Sequence, residues 1–329
     1  MLRLRDTGRA RQPGDGGRPG GLARLGERLP PQAFFAVSAV FHYLGPSFAV
    51  LLFSRVSVLG VAWLRIVTAA VVFAAWRRPW RVLAALARVD RRALAVLVAL
   101  GAVLAVMNSM FYLAVDRLPL STVGAIEFLG TVLLAAAGAR TWRNAAALGM
   151  TTAGVAVITE IRITGHPLGF VFAFANCALF MLYVILGHKI ANAGKRGGLS
   201  GIDRLGASML IAAMVVSPVG LGGAAAAFSR PLLLAAGVAV GVSSSVIPYV
   251  TDQLAMARLP RASFALMLAL LPVFATVIGA VVLRQVPTPA DLAGIALVVA
   301  GVAVHQAGSD TGQAVTQPGS DAGSDVKGG

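Results

Sequence analysis

The sequence predicts an all-α integral membrane protein of ten transmembrane helices arranged as a 5+5 inverted-topology repeat, and three observations predict it. Apolar residues come in ten blocks close to membrane length, basic residues alternate between the two sides of those blocks, and short strings recur at matching places in the two halves. The 329 residues are 57% hydrophobic and 12% charged, whereas a soluble domain carries roughly 25% charged residues to cover its surface. A helix needs about 20 apolar residues to cross about 30 Å of hydrocarbon.

The blocks run Ala33 to Phe53, Val56 to Trp76, Ala93 to Val115, Leu118 to Ala139, Ala145 to Thr159, Pro167 to Gly187, Leu205 to Phe228, Pro231 to Thr251, Ala262 to Leu283 and Ala290 to His305. The first follows arginines as a signal peptide does, but it is long, lacks a clear small-residue cleavage site and precedes nine more, so it is expected to be retained. Residues 1–31 hold seven arginines among glycines and prolines, and residues 307–329 are mostly Gly, Ser, Asp, Gln and Thr. Neither stretch has a core-forming face, and both are expected to be disordered tails flanking a first repeat over 32–163 and a second over 164–306.

Lys and Arg are retained on the cytoplasmic side during insertion. With an inside N-terminus, 22 of them fall on that side, including Arg77, Arg78, Arg81, Arg88, Arg91 and Arg92; Arg55, Arg117, Arg162, Arg230 and Arg284 fall outside, and Arg65 lies within a span. The expected location is a bacterial inner membrane, with both termini cytoplasmic. Arg117-Leu118-Pro119 before the fourth span recurs as Arg258-Leu259-Pro260 before the ninth, and Ala153-Gly154-Val155-Ala156-Val157 recurs as Ala300-Gly301-Val302-Ala303-Val304. Because five is odd, a second five-helix copy inserts upside down, the arrangement that lets many transporters alternate access around a midplane site.

A charge at the centre of a spanning helix costs at least ~2.5–3.5 kcal/mol, so each needs a partner or a purpose. Arg65 and Glu127 lie at similar distances from the outer ends of the second and fourth spans. Two readings are open: Glu127 is a protonation site tuned by Arg65, or the two form a permanent structural ion pair. Asp252, about six residues before the cytoplasmic Arg258, is either a substrate or proton site or simply hydrated. Glu160, Asp116, Asp203 and Asp291, at span ends, read as solvated loop carboxylates.

Asn108 and Tyr112 share one face of the third span, Asn176 and Tyr183 one face of the sixth, and Ser243, Ser244, Ser245, Pro248, Tyr249, Asp252 and Gln253 make a polar stretch in the eighth. Such residues either line a wet substrate path or join helices by hydrogen bonds. Pro46, Pro248 and Pro272, with Pro218, interrupt spans and are candidate hinges. Gly237 and Gly241 have GxxxG spacing, which points to close helix packing, and Trp76, Trp80 and Trp142 read as interfacial anchors.

Some classes are excluded. The basic residues are spread between apolar blocks, which argues against nucleic acid. Cys177 has no second cysteine to pair with, and the histidines His42, His166, His188 and His305 are scattered, so no metal and no other cofactor is expected. Neither a Walker loop nor a Ser/His/Asp arrangement occurs, so the protein is not expected to be an enzyme or an ATP-driven pump.

Several strings together resemble the drug/metabolite transporter superfamily, its ten-helix exporters of the EamA type, and within them the threonine/homoserine exporters. They are Trp63-Leu64-Arg65 with Arg78-Pro79-Trp80-Arg81, Met107 through Leu113, Glu127-Phe128, Pro248-Tyr249 through Arg258-Leu259-Pro260, and Pro272 with Thr288-Pro289. The resemblance implies a central cavity shared by both halves and proton-driven efflux of amino acids or similar metabolites. Arg65, Asn108, Tyr112, Glu127, Tyr183, Tyr249 and Asp252 match motif positions. Leu271 and Gln285 stand where such exporters often carry acids, which leaves Glu127 as the main proton-binding group. The expectation is therefore a secondary transporter exporting small metabolites, with protons, substrate and lipid as its partners. A drug carrier or importer of the same fold and a non-transporting membrane scaffold are the competing readings.

Overall fold

The computed structural model describes residues 29–118, 120–136, 141–159, 166–193, 199–271, 273–274 and 288–304, and every regular element among them is helical. Most of both expected tails, and Pro272 and Glu160, lie outside the described residues. The helices are α1 (Pro31–Leu52), α2 (Val58–Arg77), α3 (Pro79–Val89), α4 (Arg91–Val115), α5 (Leu120–Ala136), α6 (Trp142–Thr159), α7 (Pro167–Ala191), α8 (Gly201–Gly220), α9 (Ala225–Phe228), α10 (Pro231–Gly241), α11 (Ile247–Met256), α12 (Arg261–Met267) and α13 (Pro289–Val304).

Local chemistry sets their ends. Prolines open α1, α3, α7 and α10, where a missing N–H costs nothing because the first turn has no intrahelical acceptor. Ser57 caps α2 by accepting from Gly60 N at 3.1 Å, and Asp90 caps α4 by accepting from Ala93 N at 2.9 Å. Ser200 and Asp203 form a reciprocal capping box at the start of α8. Between α2 and α3 the chain turns through Arg78 in the left-handed region, at φ 50°.

Each of the ten apolar blocks is mostly helical over its described residues, and six helices are long and apolar enough to cross a membrane: Pro31–Leu52, Val58–Arg77, Arg91–Val115, Pro167–Ala191, Gly201–Gly220 and Pro231–Met256. The described parts of the fourth, ninth and tenth blocks are shorter apolar helices. Three details depart from expectation. The seventh block does not run as one helix to Phe228; α8 stops at Gly220, and a 3₁₀ turn over Gly222–Ala224 leads into the short α9. The arginine-rich segment after α2 is a helix, α3, burying Val82 and Leu86 while Trp80, Arg81 and Arg88 face outward. Asp203 is no solvated loop carboxylate: besides its cap it pairs with Arg77 at 2.7 Å, 15% exposed.

Close approaches at glycines hold the bundle together. A Cβ on Gly241 would lie 2.5 Å from Thr68 Cβ, and one on Gly237 would lie 2.8 Å from Leu64 Cδ1, so the GxxxG pair seats α10 on α2. Gly101 on α4 meets Ser208 on α8 in the same way. Where α6 crosses α13, Gly154 meets Gly294 and Val298, and Gly301 meets Ala147 and Thr151. Further pairings join α2 to α8, α4 to α7 and α8, α1 to α11, α5 to α7, and α12 to α5. Cys177 is a packing residue, its sulfur filling the space beside Gly130.

Candidate functional site

A continuous helix carrying a proline packs here against a helix irregularity, so Pro46 does not break its span as the sequence suggested. α1 runs through Pro46, and between α10 and α11 the chain widens into one π turn over Val242–Val246. Gly45 fits directly against Ser244, with no room for a Cβ between them. Pro248 has no N–H to give back to the carbonyl four residues earlier, which is that of Ser244. Arg65 of α2 takes that acceptor. Its Nη2 donates to Ser244 O at 2.6 Å and its Nε to Ser245 Oγ at 2.7 Å, while the guanidinium lies over the rings of Tyr112 (5.5 Å) and Tyr249 (6.0 Å). A buried cation is thus held by a displaced backbone carbonyl, a hydroxyl and two aromatic faces.

Of the two open readings for Arg65 and Glu127, the direct ion pair is not formed. Among the described residues the salt bridges are Arg77–Asp203 and Arg117–Asp116. Glu127 instead accepts a hydrogen bond from Asn176 Nδ2 at 3.1 Å, and both Glu127 and Arg65 line one cavity. That cavity has two lobes. The polar lobe, about 380 Å³ of atom-free space including its opening, is lined by Arg65, Asn108, Glu127, Asn176, Ser244 and Tyr249 among others. The second lobe, about 500 Å³ on the same measure, is lined by Phe111, Phe128, Phe180, Leu268 and Leu271 with Gly124 and Thr131. His42, Pro46, Phe111, Glu127 and Phe180 belong to both, so Glu127 is on the wall the two lobes share.

Asn108 and Tyr249 hydrogen-bond across the polar lobe, Nδ2 to Oη at 3.1 Å, and Asn108 also donates to Leu104 O at 2.6 Å. Tyr112 is fully buried; its hydroxyl and that of Ser244 have no hydrogen-bond partner among the described residues. Asp252 lies outside both lobes. It is 2% exposed, so the hydrated alternative fails, and its oxygens accept from Ser38 Oγ at 2.5 Å and Tyr183 Oη at 3.0 Å. The Tyr183 ring packs 5.4 Å from that of Tyr249, which lines the polar lobe.

Sequence reasoning missed Ser38 and His42. With Pro46 they are spaced by four and share one face of α1, a signal hidden by treating the histidines as scattered. It also missed the aromatic wall of Phe111, Phe128 and Phe180, which in sequence is indistinguishable from lipid-facing phenylalanine.

The cavity draws Arg65, Asn108 and Glu127 from one half of the chain and Asn176, Ser244 and Tyr249 from the other. Residues 167–305 match the EamA-like transporter family. The chain is also 28% identical over 290 residues to the threonine/homoserine exporter RhtA of Escherichia coli (strain K12), covering 86% of this chain and 92% of that one. It is 28% identical over 291 residues to the exporter of the same name from Salmonella typhimurium (strain LT2), with the same coverage. A crystal structure of another protein, 20% identical, superposes with a TM-score of 0.61 over 82% of this chain and 94% of that one, which speaks to fold alone. The chain is thus similar to membrane transporters over most of its length, and six of its helices are long and apolar enough to cross a membrane.

Proposed function

We propose that this protein is a ten-span secondary transporter that exports amino acids or closely related zwitterions from a bacterial cytoplasm across the inner membrane, driven by protons. One observation carries the reading: Arg65 and Glu127 line the same buried cavity without forming an ion pair. In a membrane interior two opposite charges that leave each other unpaired are poised for a solute bearing both signs, the carboxylate on Arg65 and the ammonium on Glu127. Asn108, Asn176, Ser244 and Tyr249 supply its polar surround, while Tyr112 and Tyr183, which line neither lobe, stand behind it. The RhtA relatives are named for threonine and homoserine, which supports amino acids as the substrate class.

Two sets of contacts support the inverted five-plus-five repeat. Gly101 against Ser208 and Gly241 against Thr68 are the same contact with the halves exchanged, since Gly101 and Gly241, and Thr68 and Ser208, are each 140 residues apart. Gly154 against Gly294 and Val298, and Gly301 against Ala147 and Thr151, repeat the pattern at an offset of 147 residues. Exchange of this kind is what a two-fold axis produces, and a five-helix unit related to its copy by that axis inserts with opposite topology. The charge bias then places both termini in the cytoplasm.

Proton coupling is assigned to Glu127, with Arg65 setting its field and Asp252 a second carboxylate outside both lobes. A proton taken by Glu127 removes the attraction for the solute's ammonium and so links release to the gradient. Pro46 and Pro248, where α1 packs against the π turn, are the proposed hinges, with Pro272 the third. The test uses purified protein in liposomes loaded with amino acids under an imposed pH gradient, comparing wild type, Glu127→Gln and Asp252→Asn. Glu127→Gln is expected to lose gradient-driven flux but keep exchange. Efflux in Glu127→Gln with unchanged pH dependence rules out the coupling role, and a folded wild type that moves no solute rules out transport.

A further inference from the structure

We infer that the apolar lobe beyond Glu127 is the pocket for the solute's side chain, so that among amino acids the preferred substrates carry a bulky apolar group, in the class of leucine, methionine and phenylalanine, in preference to threonine or homoserine. The inference rests on the transport reading above and deepens it. A zwitterion held between Arg65 and Glu127 has its charged end in the polar lobe, and Glu127 is on the wall the two lobes share. The side chain of that solute therefore projects past Glu127 into the second lobe.

The lobe's chemistry selects what it accepts. Its walls are Phe111, Phe128, Phe180, Leu268 and Leu271. Besides the two groups it shares with the polar lobe, its one hydroxyl is that of Thr131, and that hydroxyl donates to Phe128 O of its own helix at 2.8 Å. A solute hydroxyl entering the lobe sheds water and meets hydrocarbon, whereas an aliphatic or aromatic group gains by leaving water. A pocket of this type favours the apolar isostere over its hydroxylated counterpart by about 10–100-fold. The His42 ring, edge-on to Phe180 at 6.3 Å, lies on the shared wall and so is placed at the solute's charged end.

The experiment measures efflux of leucine, methionine, phenylalanine, threonine and homoserine, one at a time, from liposomes containing the full-length protein under the same pH gradient. The expected result is a kcat/KM at least about tenfold higher for the apolar three than for threonine and homoserine. In Leu271→Asn, which sets an amide into the lobe, the gap narrows because threonine gains and leucine loses. Threonine or homoserine moving as fast as leucine in the wild type overturns the side-chain assignment and leaves amino-acid transport standing. Failure of all five to move, with the helical circular-dichroism signal and a cooperative melt intact, overturns both. The wild-type rank order decides the question even if Leu271→Asn does not fold.

Discussion

The two hydroxyls that hold Asp252 offer a quantitative test of the buried polar core. The carboxylate is 2% exposed, with Ser38 Oγ at 2.5 Å on one oxygen and Tyr183 Oη at 3.0 Å on the other, and no cation within salt-bridge distance among the described residues. Tyr183→Phe deletes one donor while keeping the ring between Phe180 at 5.8 Å and Tyr249 at 5.4 Å, so its cost isolates the hydrogen bond. A hydrogen bond to a charged group contributes about 1.5–3 kcal/mol, so Tyr183→Phe and Ser38→Ala are each expected to cost roughly that amount. At about 2–4 °C per kcal/mol for a chain of 150–250 residues, each lowers the melting temperature in detergent by roughly 3–12 °C. The two donors serve one group, so the double variant loses more than the sum, by about 0.5 kcal/mol or more. In an Asp252→Asn background the neutral amide makes ordinary bonds, and each deletion shrinks to about 1 kcal/mol. Equal costs in the wild-type and Asp252→Asn backgrounds would falsify the reasoning, since the hydroxyls would then act through packing alone.

Three further outcomes follow from the geometry. Gly241→Ala places a Cβ 2.5 Å from Thr68 Cβ and must push α10 off α2, so it melts earlier than wild type, whereas Gly149→Ala on α6, with nothing within 4 Å, is neutral or stabilising by up to about 1 kcal/mol; paired thermal melts check both. Arg78→Gly relieves the left-handed backbone at φ 50° and raises the melting temperature, while a β-branched residue there lowers it, by about 1 kcal/mol in either direction. Arg65→Lys keeps the charge but cannot present a fork to both Ser244 O and Ser245 Oγ, so it loses one such bond, about 1.5 kcal/mol, and melts earlier than wild type; an unchanged melting temperature removes Arg65 from the role of clamping the π turn.

Much of the helical scaffold was legible because its signals are local. Pro31, Pro167 and Pro231 sit in the first turns of their helices, Ser57 and Asp90 cap theirs, and the Gly237–Gly241 spacing marks the seam it makes with α2. The α3 helix was missed because its arginines masked a short buried stripe of Val82 and Leu86. Of the expected polar residues, Asn108, Glu127, Asn176, Ser244 and Tyr249 do converge on one cavity with Arg65. Their pairings were not legible: Arg65 bonds Ser244 and Ser245 instead of Glu127, and Glu127 bonds Asn176.

The linear order of residues determined the solvent and the helices, because hydrocarbon admits only backbone whose polar groups are satisfied within the segment, and apolar length alone reports that. It also reduced the candidates to a few ionisable groups, since burial of each is costly. Which of those groups touch was decided only by tertiary structure. Arg65 meets a carbonyl 179 residues away because Pro248 released it and Gly45 let α1 approach Ser244, and the apolar lobe exists because Phe111, Phe128 and Phe180 turn inward from three different helices. Such meetings depend on how separate helices rotate against one another, and no local pattern along the chain encodes that rotation.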